Sequence, residues 1–183
     1  MATNSGAMWV AKFPTSTKTS DLKQPFRASF EAFQKAMKDA GVMVKITASL
    51  RPKQRAYMMH YSWMIVKGKI DPAAVPPMAG VDIVWNHDQA VAGAQEMVDG
   101  YGIGGLGVAP ALNSRHIDGR AIDTSLSWQG DIDIRNKDGS VRPIIGGPRN
   151  ATNLDLIAVG ATYGVIHFKP VASDKVHWSD DGH

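Results

Sequence analysis

The spacing of apolar residues changes period along this chain, and that change dictates what it folds into. Leu22, Phe26, Phe30, Phe33, Ala36 and Met37 recur at three- and four-residue intervals, which places them on one face of a helix. Ser20 stands where an N-cap belongs and Gly41 where a helix-ending glycine belongs. Residues 42–48 are short and β-branched, which predicts a strand. Arg51-Pro52 opens a second helix that reaches to about residue 66, with Tyr57, Met58, Tyr61 and Ile65 on its core face. Residues 67–84, with Asp71-Pro72 and Pro76-Pro77, predict a long surface loop able to shape a cleft. A third helix is expected from about residue 88 to 101, with Asn86 as its cap.

Beyond the glycines at 100, 102, 104, 105 and 107, alternation takes over. Residues 114–124 read as strand and turn. Residues 131–145 carry Asp138-Gly139 between two alternating stretches, a hairpin signal. Residues 153–163 read as a short helix ended at Gly164, and 165–168 and 175–178 as closing strands. Helices first and strands later predict an α+β fold, with N-terminal helices packed on a small antiparallel sheet. With no internal repeat and no linker, one domain is expected over residues 20–183, after an irregular lead-in over 1–19.

Composition narrows the chemistry. The 183 residues, 44% hydrophobic and 20% charged, are those of a soluble globular chain long enough to bury a core. No apolar run approaches the roughly 20 residues needed to span a bilayer, and the N-terminus lacks the pattern of a signal peptide. If the substrate lies outside the cytoplasm, another system must release or export the protein. Cysteine is absent. Disulfides, thiolate metal sites and cysteine nucleophiles are therefore excluded, and His, Asp and Glu are left as metal ligands. A net charge of +3 without any block of Lys or Arg argues against nucleic acid as a partner. The glycine-rich run lacks the pattern of a phosphate-binding loop.

The informative stretch is Ser114-Arg-His116-Ile-Asp-Gly119-Arg-Ala121-Ile-Asp123. A strand–turn–strand path would bring His116 and Asp123 together, Gly119 letting the chain bend and Ala121 leaving room. A catalytic zinc commonly takes three protein ligands and keeps a fourth position open. Asp174-Lys-Val-His177-Trp178 offers the third ligand.

Taken with Ser49-Leu-Arg51-Pro52-x-Gln54 upstream, these motifs resemble those of the zinc D-alanyl-D-alanine carboxypeptidase and dipeptidase family. That family also contains endolysins that cut the L-alanyl-D-glutamate bond of peptidoglycan. The three motifs run in the family's order from residue 49 to 178, roughly two thirds of the chain. The resemblance implies a D-Ala-D-Ala/hedgehog-like fold and one zinc ion per chain held by His116, Asp123 and His177. It implies Asp174 as the general base, and Arg51 as a group that binds a substrate carboxylate or steadies the oxyanion. Gln54 and Ser114 would be supporting substrate contacts. The carboxypeptidase members carry Glu where this chain has Asp174, whereas the endolysin-like members carry Asp. The expected activity is therefore an L-alanyl-D-glutamate endopeptidase acting on the peptidoglycan stem peptide as a monomer. A D-alanyl-D-alanine carboxypeptidase or D,D-endopeptidase is the alternative within the class, and a metal-containing wall-binding module is the alternative outside it.

Each residue also has a plainer reading. Alone, His116 would be an ordinary surface or core histidine, Asp123 a turn cap, Asp174 a loop residue after Pro170 and Arg51 the cover of a helix start. His167 is the alternative ligand should His177 not serve. His60 suits packing beside Tyr57 and Tyr61, Trp178 suits the core, and Asp131 and Asp133 suit a solvated strand face.

Overall fold

Turn and cap residues set where each element begins and ends. A computed structural model describes residues 2–183. In chain order its principal elements are β1 (Thr3–Asn4), α1 (Phe26–Asp39), β2 (Met43–Ala48), α2 (Lys53–Val66), β3 (Ile83–Val84) and α3 (Ala90–Tyr101). They continue as β4 (Ala121–Ser127), β5 (Ile132–Arg135), β6 (Val141–Ile144), α4 (Leu154–Thr162), β7 (Ile166–His167) and β8 (His177–Ser179). The fold is α+β.

The chain divides into two compact units, one formed by the residues up to Thr15 with Arg51–Asn113, the other by Ser16–Leu50 with Ser114–His183. In the first, α2 and α3 bury Tyr57, Met58, Ile65, Ala94 and Met97 together with Trp9, Val81 and Trp85. The loop before β3 is tied down by two hydrogen bonds: Trp85 Nε1 donates to the Tyr57 hydroxyl, and that hydroxyl donates to the Pro76 carbonyl, both at 2.9 Å. Residues 3–9, part of the stretch read as an irregular lead-in, contribute a strand and a core tryptophan. β1 pairs in parallel with β3, and Trp9 is buried.

The second unit carries an antiparallel four-stranded sheet in the order β2-β4-β8-β7 and the separate β5-β6 hairpin. Strand β4 alternates. Ile122, Thr124 and Leu126 point into a core with Phe30, Phe33, Leu156, Val159 and Trp178, while Asp123 and Ser125 occupy the opposite face. Trp178 lies across from Ile122 in the ladder, so it shares the core face. There it packs edge-on to Phe33 at 5.5 Å, and its Nε1 donates to Thr124 Oγ1 at 3.0 Å. Truncating a buried indole of this kind costs about 3–5 kcal/mol. This core holds β4 and β8 in the register on which the site depends.

Three boundaries differ from the sequence expectation. Helix α1 starts at Phe26, not near Ser20, because Pro25 disfavours helical backbone at Gln24; Leu22 is still buried, but from an extended position after a short 3-10 turn. Helix α3 starts at Ala90 with Gln89, not Asn86, at its N-cap. Residues 114–119 form consecutive turns instead of a strand, closed by main-chain bonds from Ile117 and Asp118 to Ser114 and from Arg120 to Arg115. Elsewhere local signals hold. Gly41, Gly139 and Gly164 all take positive φ, and the Asn153 side chain caps α4 by accepting from the Leu156 amide at 3.0 Å.

Candidate metal centre

The ladder places two of the three ligand candidates. Asp123 of β4 and His177 of β8 are direct cross-strand partners, so both side chains rise from the same face, opposite the core. His116 arrives from the turn before β4. Gly119 makes that turn possible: its φ is +67°, and a Cβ there would lie 3.2 Å from the Asp21 carbonyl oxygen. A left-handed residue with a side chain costs roughly 1–2 kcal/mol before any clash is counted.

His116 Nε2, Asp123 Oδ1 and His177 Nδ1 form a nearly equilateral triangle. The two nitrogens are 3.1 Å apart, His116 Nε2 is 3.1 Å from the carboxylate oxygen, and His177 Nδ1 is 3.2 Å from it. Both histidines are buried and the Asp123 side chain is 20% exposed. Among the described residues this is the one group of three or more His, Asp or Glu side chains whose donor atoms converge so closely.

The outward-facing ring nitrogens explain the arrangement. His116 Nδ1 lies 2.7 Å from the Ser49 carbonyl and His177 Nε2 lies 3.1 Å from the His183 carbonyl. A carbonyl only accepts, so each outward nitrogen carries the proton. In the neutral rings both inward nitrogens are then lone pairs, and they face each other and a carboxylate oxygen at little more than 3 Å. Three acceptors this close require a cation between them, either a metal ion or an added proton. Orientation of ligating histidines by carbonyl acceptors is the usual outer shell of a metal site. The His116–Asp123–His177 group can therefore hold a metal ion.

Electrostatics agree. Burial pushes the Asp123 carboxyl up, but hydrogen bonds and charge from His116 and His177 outweigh it and hold the group well below its ordinary value of 3.8. Burial pushes His177 down, yet the Asp123 carboxylate and the His183 carbonyl raise it above its ordinary 6.5. In the metal-free protein the depressed Asp123 contributes stability that is present above about pH 4 and lost as pH falls. The raised His177 contributes stability that is full below about pH 6.5 and lost as pH rises through its folded value. The stability advantage of wild type over Asp123→Asn in chelator is thus expected to peak between about pH 4 and 6.5 and to shrink toward pH 9. Urea unfolding across that range checks this; an advantage that grows with pH would contradict it. Metal affinity should run the other way, because ligands must shed protons to bind.

The remaining expected site residues are placed as follows. Asp174 is half-buried on the turn before β8, where its Oδ1 accepts from the Val176 amide at 3.3 Å, and its charge is one of those that raise His177. Ser114 shapes the turn that carries His116, its hydroxyl 3.4 Å from the Ile117 amide. Arg51 and Gln54 are half-buried in the other unit, at the start of α2. His167 is not a ligand candidate: it is the cross-strand partner of Trp178, so it faces the core, its ring nitrogens 3.1 and 3.3 Å from the carbonyls of Phe168 and Lys175. His60 is engaged by the Pro110 carbonyl at 2.8 Å, and Asp131 pairs with Arg149 at 3.4 Å. Sequence reasoning missed the carbonyls of Ser49 and His183, since a main-chain acceptor leaves no trace in residue identity.

No family model, curated protein or solved structure matches this chain. No helix among the described residues is long and apolar enough to cross a membrane.

Proposed function

We propose that the His116–Asp123–His177 centre holds one zinc ion and that the chain is a peptidase of the peptidoglycan stem peptide. The observation that carries the reading is the convergence of two tautomer-fixed imidazoles and one carboxylate on a single point. Zinc takes such N and O donors at about 2.0–2.2 Å in tetrahedral array, which sets donor atoms about 3.3–3.6 Å apart. The observed separations of 3.1–3.2 Å need only a few tenths of an ångström of relaxation. Three ligands leave a coordination position open, the mark of a catalytic rather than a structural zinc.

When bound, zinc supplies Lewis acidity toward water and the scissile carbonyl. The protein's own contribution is proton management. Asp174, on the turn that leads into His177, takes the proton of the attacking water on its carboxylate and returns it to the leaving amine. The motif resemblance assigns Arg51, Gln54 and Ser114 to the substrate and, through the aspartate at 174, favours the L-alanyl-D-glutamate bond over the terminal D-alanyl-D-alanine bond.

The test is digestion of purified peptidoglycan by the zinc-loaded protein, with new termini identified by mass spectrometry. New N-terminal D-glutamate is the expected product. Released D-alanine would move the activity to the carboxypeptidase alternative, and intact stem peptides would overturn the peptidase reading.

A further inference from the structure

The His177 ring is oriented by a carbonyl that belongs to a short loop, and that loop is itself held by charges. Residues 180–183 double back after β8. The Ser179 hydroxyl accepts from the Gly182 amide at 2.8 Å and from the His183 amide at 3.1 Å, and Asp181 Oδ1 accepts from the same His183 amide at 3.1 Å and from Ser179 Oγ at 3.2 Å. Gly182 takes φ +84°, and a Cβ there would meet Ile166 at 2.9 Å. Its carbonyl accepts from Lys169 at 3.1 Å. These bonds set where the His183 carbonyl meets His177 Nε2.

The loop is in turn tied to the segment that carries the other histidine. Arg115, immediately before His116, donates to Asp181 and lies 3.5 Å from Asp180. Arg120, at the end of the same turn, donates to Asp180 at 2.6 Å, and its carbonyl accepts from the Asp180 amide at 3.3 Å. The Arg115, Asp180 and Asp181 side chains are 29, 23 and 33% exposed, so the pairs are shielded more than those of a fully solvated surface. One guanidinium thus links the backbones that present His116 and His177, while none of the three groups is in the donor triangle.

We propose that Arg115, Asp180 and Asp181 are positioning residues for the metal centre: they clamp the loop whose His183 carbonyl keeps the His177 Nδ1 lone pair aimed inward, and so set metal affinity. The proposal rests on the metal-binding reading and deepens it. Without the clamp the loop can leave, the His177 ring can take its other tautomer or turn, and the centre loses one pre-aimed donor. Outer-shell partners of this kind are worth about 10–100-fold in metal affinity.

The test is zinc affinity, measured by competition with a chromophoric chelator, for wild type, Arg115→Ala, Arg115→Lys and Asp181→Asn. Each variant's melting temperature in EDTA and the ¹⁵N resonances of the His177 ring are recorded as well. The expected result is about 10–100-fold weaker binding for Arg115→Ala. A smaller loss is expected for Arg115→Lys, which keeps the charge but not the fork over two carboxylates. The metal-free melting temperature should be nearly unchanged, and the His177 ring nitrogens should lose the single-tautomer pattern. If Arg115→Ala does not fold, Asp181→Asn carries the test, since it keeps the Oδ1 acceptor and replaces the Oδ2 that accepts from Arg115 with an uncharged NH2 donor. Unchanged zinc affinity in a folded variant overturns the clamp and leaves the metal reading standing. Absence of zinc binding by the wild type overturns both.

Discussion

If zinc occupies the proposed centre, replacing His116 with alanine is expected to abolish the thermal stabilisation that the ion confers. Ligand at about one hundred times its Kd stabilises a folded chain by roughly 2.7 kcal/mol. At this length each kcal/mol moves the melting temperature by about 2–4 °C, so the wild type should gain about 5–11 °C over its value in EDTA. His116→Ala removes one corner of the donor triangle and leaves the Ser49 carbonyl without its imidazole donor, at about 1–3 kcal/mol for a buried polar group. That second effect lowers the melting temperature with and without metal alike. Differential scanning fluorimetry of the variant, with zinc against EDTA, therefore isolates the metal term. A shift as large as that of the wild type would mean the ion binds elsewhere.

The second large effect concerns Asp174. A positioned general base contributes typically 10²–10⁴-fold to a rate. Asp174→Ala should lose about that much peptidoglycan hydrolysis while keeping its zinc and its melting temperature. The structural reason for the separation is that the carboxylate stands outside the donor triangle, where it accepts from the Val176 amide. Turbidity clearance of purified walls, read beside zinc content, checks both halves. Full activity in the variant would remove Asp174 from the mechanism. Loss of zinc along with activity would make it a support of the centre instead of its base.

What the sequence revealed, and what it hid, follows from the range of the interactions involved. The hairpin at Asp138-Gly139 and the capped helix after Asn153 were legible because each is specified by residues within a few positions of one another. The converging trio was legible because His116 and Asp123 share one dense motif and His177 another, and the structure brings the three close enough to hold a metal ion. The path between them was not. A strand was expected at His116, but the stretch is a succession of turns, because Lys23 and Asp21 close on Gly119 from far away in sequence. The parallel pairing of Thr3 and Asn4 with Ile83 and Val84 left no local signal for the same reason. The carbonyls that orient the histidines depend on the course of the main chain through Ser49, past the irregular step in the β2–β4 ladder, and on the loop after Ser179. Side-chain identity specifies neither. The division into two compact units was equally silent, since each is assembled from two separate stretches of the chain.

Whether His116, Asp123 and His177 form one metal centre is measured most directly by zinc content. After loading and exhaustive dialysis the wild type should retain about one zinc per chain, and Asp123→Ala and His177→Ala should each retain almost none. A zinc-free wild type, or variants that hold as much zinc as it does, would contradict the account.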